Sequence, residues 1–162
     1  MRVLAIDPGY ERLGIAVLEK PKHGKETLIH SECFTTKRAE PDTERLRQIG
    51  EKIRETIKKW KPEALAIETL FLHSNQKTAM RVAEARGIIL YEAVRASLTI
   101  AEYSPLQIKM AVAGYGRADK RQVSEMIPRL ISLPVLPAKK IRIDDELDAI
   151  AVGLTFFAVY RE

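Results

Sequence analysis

A single cysteine, Cys33, in a chain of 162 residues excludes an internal disulfide framework and any cysteine-based zinc cluster. Three histidines, His23, His30 and His73, share no metal-like spacing, and none has an identifiable acidic partner for a serine or cysteine nucleophile. No apolar run approaches the ~20 residues that cross a bilayer. The amino-terminal stretch meets an acid at Asp7, too soon for a signal peptide. A glycine-rich phosphate loop, an internal repeat and a low-complexity linker are also missing. What remains is an ordinary globular composition, 46% hydrophobic, with the length of one compact domain. The expectation is one domain over residues 1–162, reduced and cytoplasmic.

Charge is less evenly distributed. The chain carries +5 overall. Residues 104–143 hold Lys109, Arg117, Lys120, Arg121, Arg129, Lys139, Lys140 and Arg142 against only Asp119 and Glu125. That stretch alone accounts for the whole excess. Concentrated basic charge points to a polyanion such as nucleic acid, or to a solvated surface that keeps the protein soluble.

Along the chain, Val3–Ile6 reads as a buried strand stopped by Asp7-Pro8-Gly9, and 13–18 and 27–35 as two more strands of an antiparallel meander. The period then changes. Leu46, Ile49, Ile53, Ile57 and Trp60 mark one face of a helix, with Asp42 or Thr43 as its cap and Pro62 after its end. Ala64–Ile67 is a second buried strand, and strand–helix–strand implies a parallel crossover. A long helix is expected over 76–97, a strand over 99–103, and helices over 105–113, 119–132 and from about Asp144. Ala79, Ala83 and Gly87, with Leu90 beside them, place a stripe of small residues where another helix can approach, from this chain or from a second subunit. The fold class is α/β, a mixed sheet covered by helices.

Three acidic positions stand out. Asp7 ends the first strand and Glu68 ends the strand after the crossover, and ligands of open α/β sheets bind at such carboxyl ends. If these strands are neighbours, the two carboxylates repel and need a cation or a shared proton. Asp145 and Asp148 lie i, i+3 on the last helix and face the same way, and Asp144 could join them. Taken singly, Asp7 suits a turn and the acids at 144–146 suit a helix start. Glu68, closing the apolar run Ala64-Leu65-Ala66-Ile67, fits packing poorly. Together they favour carboxylates holding magnesium for phosphoryl hydrolysis.

The series Asp7-Pro8-Gly9 with Gly14, Ala66-Ile67-Glu68 with Phe71 and Asn75, and Ala85-Arg86-Gly87 resembles the RuvC family of Holliday junction resolvases. The resemblance continues through Tyr103-Ser104-Pro105, Gln107-Ile108-Lys109, Gly114-Tyr115-Gly116, Asp119-Lys120 and Gln122-Val123, and closes with Asp145-Glu146-Leu147-Asp148-Ala149-Ile150-Ala151. It spans essentially the whole chain in order.

The resemblance implies an RNase H-like, mixed five-stranded sheet flanked by helices. It further implies a homodimer that cuts two opposed strands of a four-way DNA junction symmetrically. By resemblance, Asp7, Glu68, Asp145 and Asp148 are the catalytic acids, holding one or two magnesium ions per subunit, with manganese an expected substitute. Lys120 and Lys109 lie near the scissile phosphate, and Phe71 inserts at the junction. His73, Arg117 and Arg121 are further expected DNA contacts. The helix carrying Ala79, Ala83, Gly87 and Leu90 forms the dimer, and the RuvA–RuvB branch-migration complex is the implied partner. The chain departs from the family pattern at Leu72-His73-Ser74, at Leu147, at Gly153-Leu154-Thr155-Phe156 and in a longer basic segment over 137–143. Two alternatives stay open at this level: a junction-binding protein that no longer cuts, and a nuclease for RNA–DNA hybrids or of transposon type.

Overall fold

The computed structural model describes residues 1–70, 76–134 and 142–160. Among them the elements run β1 (Arg2–Asp7), β2 (Arg12–Glu19), β3 (Thr27–Thr35), α1 (Asp42–Trp60), β4 (Ala64–Glu68), α2 (Gln76–Arg95), β5 (Thr99–Tyr103), α3 (Pro105–Ala113), α4 (Lys120–Leu130) and α5 (Asp144–Val159). The sheet order is β3-β2-β1-β4-β5. The first three strands form the expected antiparallel meander, and β4 and β5 join parallel to β1.

Strand periodicity divides the sheet into two unlike faces. Leu4, Ile6, Ile15, Val17, Leu65 and Ile67 pack beneath α1 and α2 with Ile49, Ile53, Ala85 and Ile89. Their alternate neighbours Val3, Ala5, Ala16, Leu18, Ala64 and Ala66 pack against the residues of α3, α4 and α5. The second face is mostly alanine, which lets α5 lie low on the sheet. A Cβ on Gly153 would meet Leu18 and Ala5. Helix α5 is buried on every side from Ala149 to Phe157, which explains why that stretch is apolar all round.

Helix ends depart from the sequence expectation in three places. Neither Asp42 nor Thr43 caps α1: Pro41 takes the N-cap position without a side-chain bond, and Asp42 opens the helix. Helix α2 stops at Arg95, because Ser97 adopts a left-handed conformation with φ 57° and the Leu98 N–H turns back to the Ala93 carbonyl. Helix α4 ends at Leu130, two residues early. Pro128 sits in its last turn without a donor N–H, and Ser132 bridges to Thr27 instead.

Capping boxes start the two short helices. Ser104 with Gln107 starts α3, and Asp119 with Gln122 starts α4. Gly114, at φ 83°, ends α3 in a conformation that side chains resist.

Candidate active site

Asp7 and Glu68 fall on the alanine face by simple alternation: Val3, Ala5 and Asp7 along β1, and Ala64, Ala66 and Glu68 along β4. Ile6 pairs with Ile67, so the two acids end adjacent parallel strands. Their carboxyl groups thus meet at one rim, and the charge of Glu68 helps to raise the Asp7 carboxyl.

Helix α5 brings its first turn to the same rim, and Gly14 sets how close it comes. Gly14 pairs with Asp7 across β1 and β2, and a Cβ there would collide with the Asp145 carbonyl and press on the Asp7 Cβ. Glu146 fixes the rotation of the helix from the other side. It is buried and accepts a hydrogen bond from Ser31 Oγ at 2.8 Å, while Arg142 Nε donates to the same hydroxyl at 3.3 Å. With Glu146 turned to β3, Asp145 and Asp148 face the strand ends.

Two cations meet these acids. Arg12 forms an ion pair with Asp145. Lys120 Nζ stands 2.8 Å from Asp148 Oδ2 and 3.5 Å from Asp144 Oδ2. Lysine is disfavoured at the first position of a helix by the macrodipole, and Lys120 holds that position in α4. Its carboxylate neighbours account for the placement. Asp144 is the most exposed of the three aspartates on α5 and touches the cluster only through Lys120.

The electrostatics follow from crowding. Burial, then the charges of Glu68, Asp148 and Asp145, push the Asp7 carboxyl up to about 7, with Lys120 opposing. Burial and Asp148 raise Glu68, although the charges of Lys109 and Lys120 pull the other way. Asp148 is raised chiefly by burial, against the pull of Lys120. For Lys120 itself, burial opposes the charge, but the hydrogen bonds and charges of Asp148 and Asp144 outweigh it and its pKa rises. Lys120 is therefore a fixed cation at neutral pH, unsuited to act as a base.

A cavity of about 220 Å³ opens beside the acids, lined by Glu68, Pro105, Ile108, Lys109, Lys120, Val123, Asp148 and Ala151. Lys109 and Lys120, from different helices, thus face one space. Arg117 is exposed, and Arg121 is exposed and paired with Glu125 at 2.7 Å on its own helix. Phe71 and His73 lie outside the described residues, as do Lys139 and Lys140.

On α2, Ala83 and Gly87 face solvent, and a Cβ on Gly87 would meet nothing. Ala79 is half-buried, whereas Leu90 packs against the large-aliphatic core. The exposed stripe is completed by Met80, Tyr91 and Val94, apolar side chains at helical spacing that sequence reasoning did not single out as a set. Arg12 was missed as well. Its signal was an arginine two residues before Gly14, at the entry of the strand that follows the Asp7 turn.

The four acids fit a hard divalent cation in donor chemistry, being all carboxylate oxygen, mutually repelling and partly buried. Among the described residues no three such groups surround one point, and Asp145 and Asp148 are paired with Arg12 and Lys120.

The profile of one protein family, described as crossover junction endodeoxyribonuclease RuvC, matches residues 3–156. A crossover junction endodeoxyribonuclease RuvC of Moorella thermoacetica is 41% identical over 164 residues, covering 100% of this chain and 95% of that protein. The structure of Thermus thermophilus RuvC in complex with a Holliday junction substrate superposes with a TM-score of 0.87 at 34% identity, over 97% of this chain and 93% of that one. A yeast mitochondrial Holliday junction resolvase shares the fold at 12% identity, with a TM-score of 0.71 over 96% of this chain and 77% of its own.

Proposed function

Because the chain belongs to the crossover junction endodeoxyribonuclease RuvC family and has its RNase H-like fold, we propose that its four-carboxylate rim is the centre at which it resolves Holliday junctions. It is a nuclease of junction DNA. In this reading the whole chain forms one nuclease domain, acting in the cytoplasm on the strands that a junction presents.

The observation that carries the assignment is the convergence of Asp7, Glu68, Asp145 and Asp148 from three elements far apart in sequence, with Asp7 driven up to about 7 by burial and then by the charges of the other three. Structural acids are normally paired or solvated. A set held together against its own repulsion is suited to cation chemistry. Asp7, Glu68, Asp145 and Asp148 would hold magnesium, or manganese in its place, one or two ions per subunit. When bound, the ion supplies Lewis-acid polarisation of the phosphodiester and a means of activating water.

The chain's own groups do the rest. Lys120, permanently cationic, stabilises charge that develops on the phosphate oxygens. Lys109, across the same cavity, holds the strand. Arg117 and Arg121 add charge toward the backbone, and Phe71 and His73 complete the junction contacts of this reading. The exposed stripe of Met80, Ala83, Gly87, Tyr91 and Val94 supports a homodimer formed through α2, with Ala79 at its edge. A two-fold dimer matches the two-fold symmetry of a four-way junction and explains paired, opposed cuts. The RuvA–RuvB branch-migration complex is the partner this reading assigns.

Cleavage of a synthetic four-way junction in magnesium, beside the Asp7→Asn protein, tests the proposal. Paired symmetric nicks lost in the variant, with junction binding kept, are expected. Equal nicking of plain duplex, or better binding of an RNA–DNA hybrid, would overturn it.

A further inference from the structure

A second cavity, of about 520 Å³, lies on the other side of the Asp7 turn. It is lined by Gly9, Tyr10, Glu11, Arg12, Asp42, Arg45, Arg81 and Val82. Arg45 makes it unusual. Its guanidinium is stacked on the Tyr10 ring, 4.1 Å from the centroid, and only 6% of the residue is exposed. Its Nε donates to Thr36 Oγ1 at 2.9 Å, and Thr36 Oγ1 in turn donates to the Tyr10 carbonyl at 2.9 Å. Among the described residues Nη2 has no hydrogen-bond partner and no carboxylate forms an ion pair with Arg45.

A buried cation without a counter-charge is costly and would not persist for packing alone. The rest of the lining holds two more arginines and two acids, Glu11, which is paired with Arg38 at 2.7 Å outside the cavity lining, and Asp42. Arg81 lines the cavity and approaches the Tyr10 ring at 5.6 Å. Arg12 lines it from the strand side. Helix α1 begins there without a side-chain cap; the Glu44 and Arg45 N–H groups bond the Pro41 carbonyl, and the positive end of the helix dipole lies beside the cavity that Asp42 and Arg45 line. Of the two acids in the first turn of α1, Glu44 pairs with Arg47 on its own helix and Asp42 lines the cavity. Asp42 is held by Tyr10 Oη at 2.5 Å and by an ion pair with Arg81.

We infer that this cavity is a subsite for a phosphate oxyanion, filled by a backbone phosphate of the strand that passes Asp7. Guanidinium forks and helix N-termini are the two features proteins use for phosphate, and here they share one opening. The turn Gly9–Arg12 separates the subsite from the catalytic rim by a few residues, and Arg12 belongs to both. A phosphate seated here fixes the register of the strand against the carboxylates, so the subsite positions DNA and takes no part in the bond chemistry. It rests on the junction-nuclease reading only for the source of the phosphate.

The test is junction binding without divalent ions over a range of salt, for the wild type, Arg45→Gln, Arg81→Gln and Lys58→Gln. Lys58 is exposed near the opposite end of α1 and serves as the charge control. Both arginine variants are expected to flatten the plot of log affinity against log salt by about 0.9 for each phosphate that is no longer neutralised, with Lys58→Gln unchanged. Thermal melting of each variant separates this from unfolding. Arg81, a third exposed, keeps the test alive if Arg45→Gln does not fold.

In parallel, the wild type is titrated with inorganic phosphate at constant ionic strength, followed by the arginine Nε–H signals in NMR. Shifts at Arg45 and Arg81 with unaltered slopes in the variants would assign the site to free phosphate instead. Slopes and signals that are both unmoved overturn the subsite. A wild type that binds no junction defeats the nuclease reading, while the phosphate titration still decides the cavity.

Discussion

The two faces of the sheet are made by alternate residues of the same strands, yet they are built to different rules. Under α1 and α2 the strands present Leu4, Ile6, Ile15, Leu65 and Ile67, all fully buried, and this face supplies cohesion. Under α5 they present Ala5, Ala16, Ala64 and Ala66, and at the rim β1 and β4 end in the acids Asp7 and Glu68. Small side chains give up burial energy but allow the helix to come close enough for its first turn to reach Asp7. One face holds the molecule together, and the other spends stability to hold four like charges near one another.

Substitutions that move one face and spare the other sharpen this contrast. On the alanine face, Asp148→Asn should lower junction cleavage by at least about 100-fold while melting changes little, as read by a cleavage time course beside calorimetry. On the aliphatic face, Ile6→Ala should cost about 2–5 kcal/mol in chemical denaturation yet leave the acids in place, so the folded fraction still cuts. Gly14→Ala lies between them. Its Cβ forces α5 away from β2, and cleavage per folded molecule should fall about tenfold for a loss of about 1–3 kcal/mol, separable by measuring both. A fall in stability with normal cleavage would deny Gly14 its positioning role.

The smallest effects concern pH. Asp7 has a folded pKa of about 7 against 3.8 for the ordinary carboxyl, so the folded state keeps a proton that the unfolded chain gives up. Stability of the protein without divalent ions should therefore decline as pH rises from about 4 to about 7, and Asp7→Asn should melt higher than wild type at pH 8. Glu32, on the edge strand β3, has the opposite sign. His30, then Lys52 at 2.7 Å, draw it down to about 2 despite burial, so its contribution is complete above 4.5 and is lost as pH falls toward 2. Glu32→Gln should flatten that acid limb.

Much of this was legible in the sequence because it is periodic or local. The meander, the crossover and the apolar last helix follow from spacing, and Asp7 and Glu68 from their places at strand ends. The resemblance then selected Asp145 over Asp144, and the structure places Asp144 at the exposed edge. What stayed hidden is non-local. No pattern connects Arg12 to Asp145, 133 residues away, or sets Arg45 and Arg81 around one cavity. Leu90, expected beside the small-residue stripe and in the dimer interface, packs partly against the large-aliphatic core, a placement that helical spacing alone leaves open until the sheet beneath it is known. The cap of α1 failed for a simpler reason: Pro41 preset the backbone, and the aspartate that looked like a cap was drawn to Tyr10 instead.

The pairs Arg12–Asp145 and Lys120–Asp148 have a consequence for how the protein is made ready. Tethered counter-ions let a chain with crowded acids complete its folding before any free divalent ion arrives. A divalent ion held by these acids, as proposed, would have to compete with an internal cation for the same oxygens and would bind more weakly than to a bare cluster. On that proposal the ion concentration needed for activity would depend on these two side chains, and whatever draws Arg12 away from Asp145 would lower it.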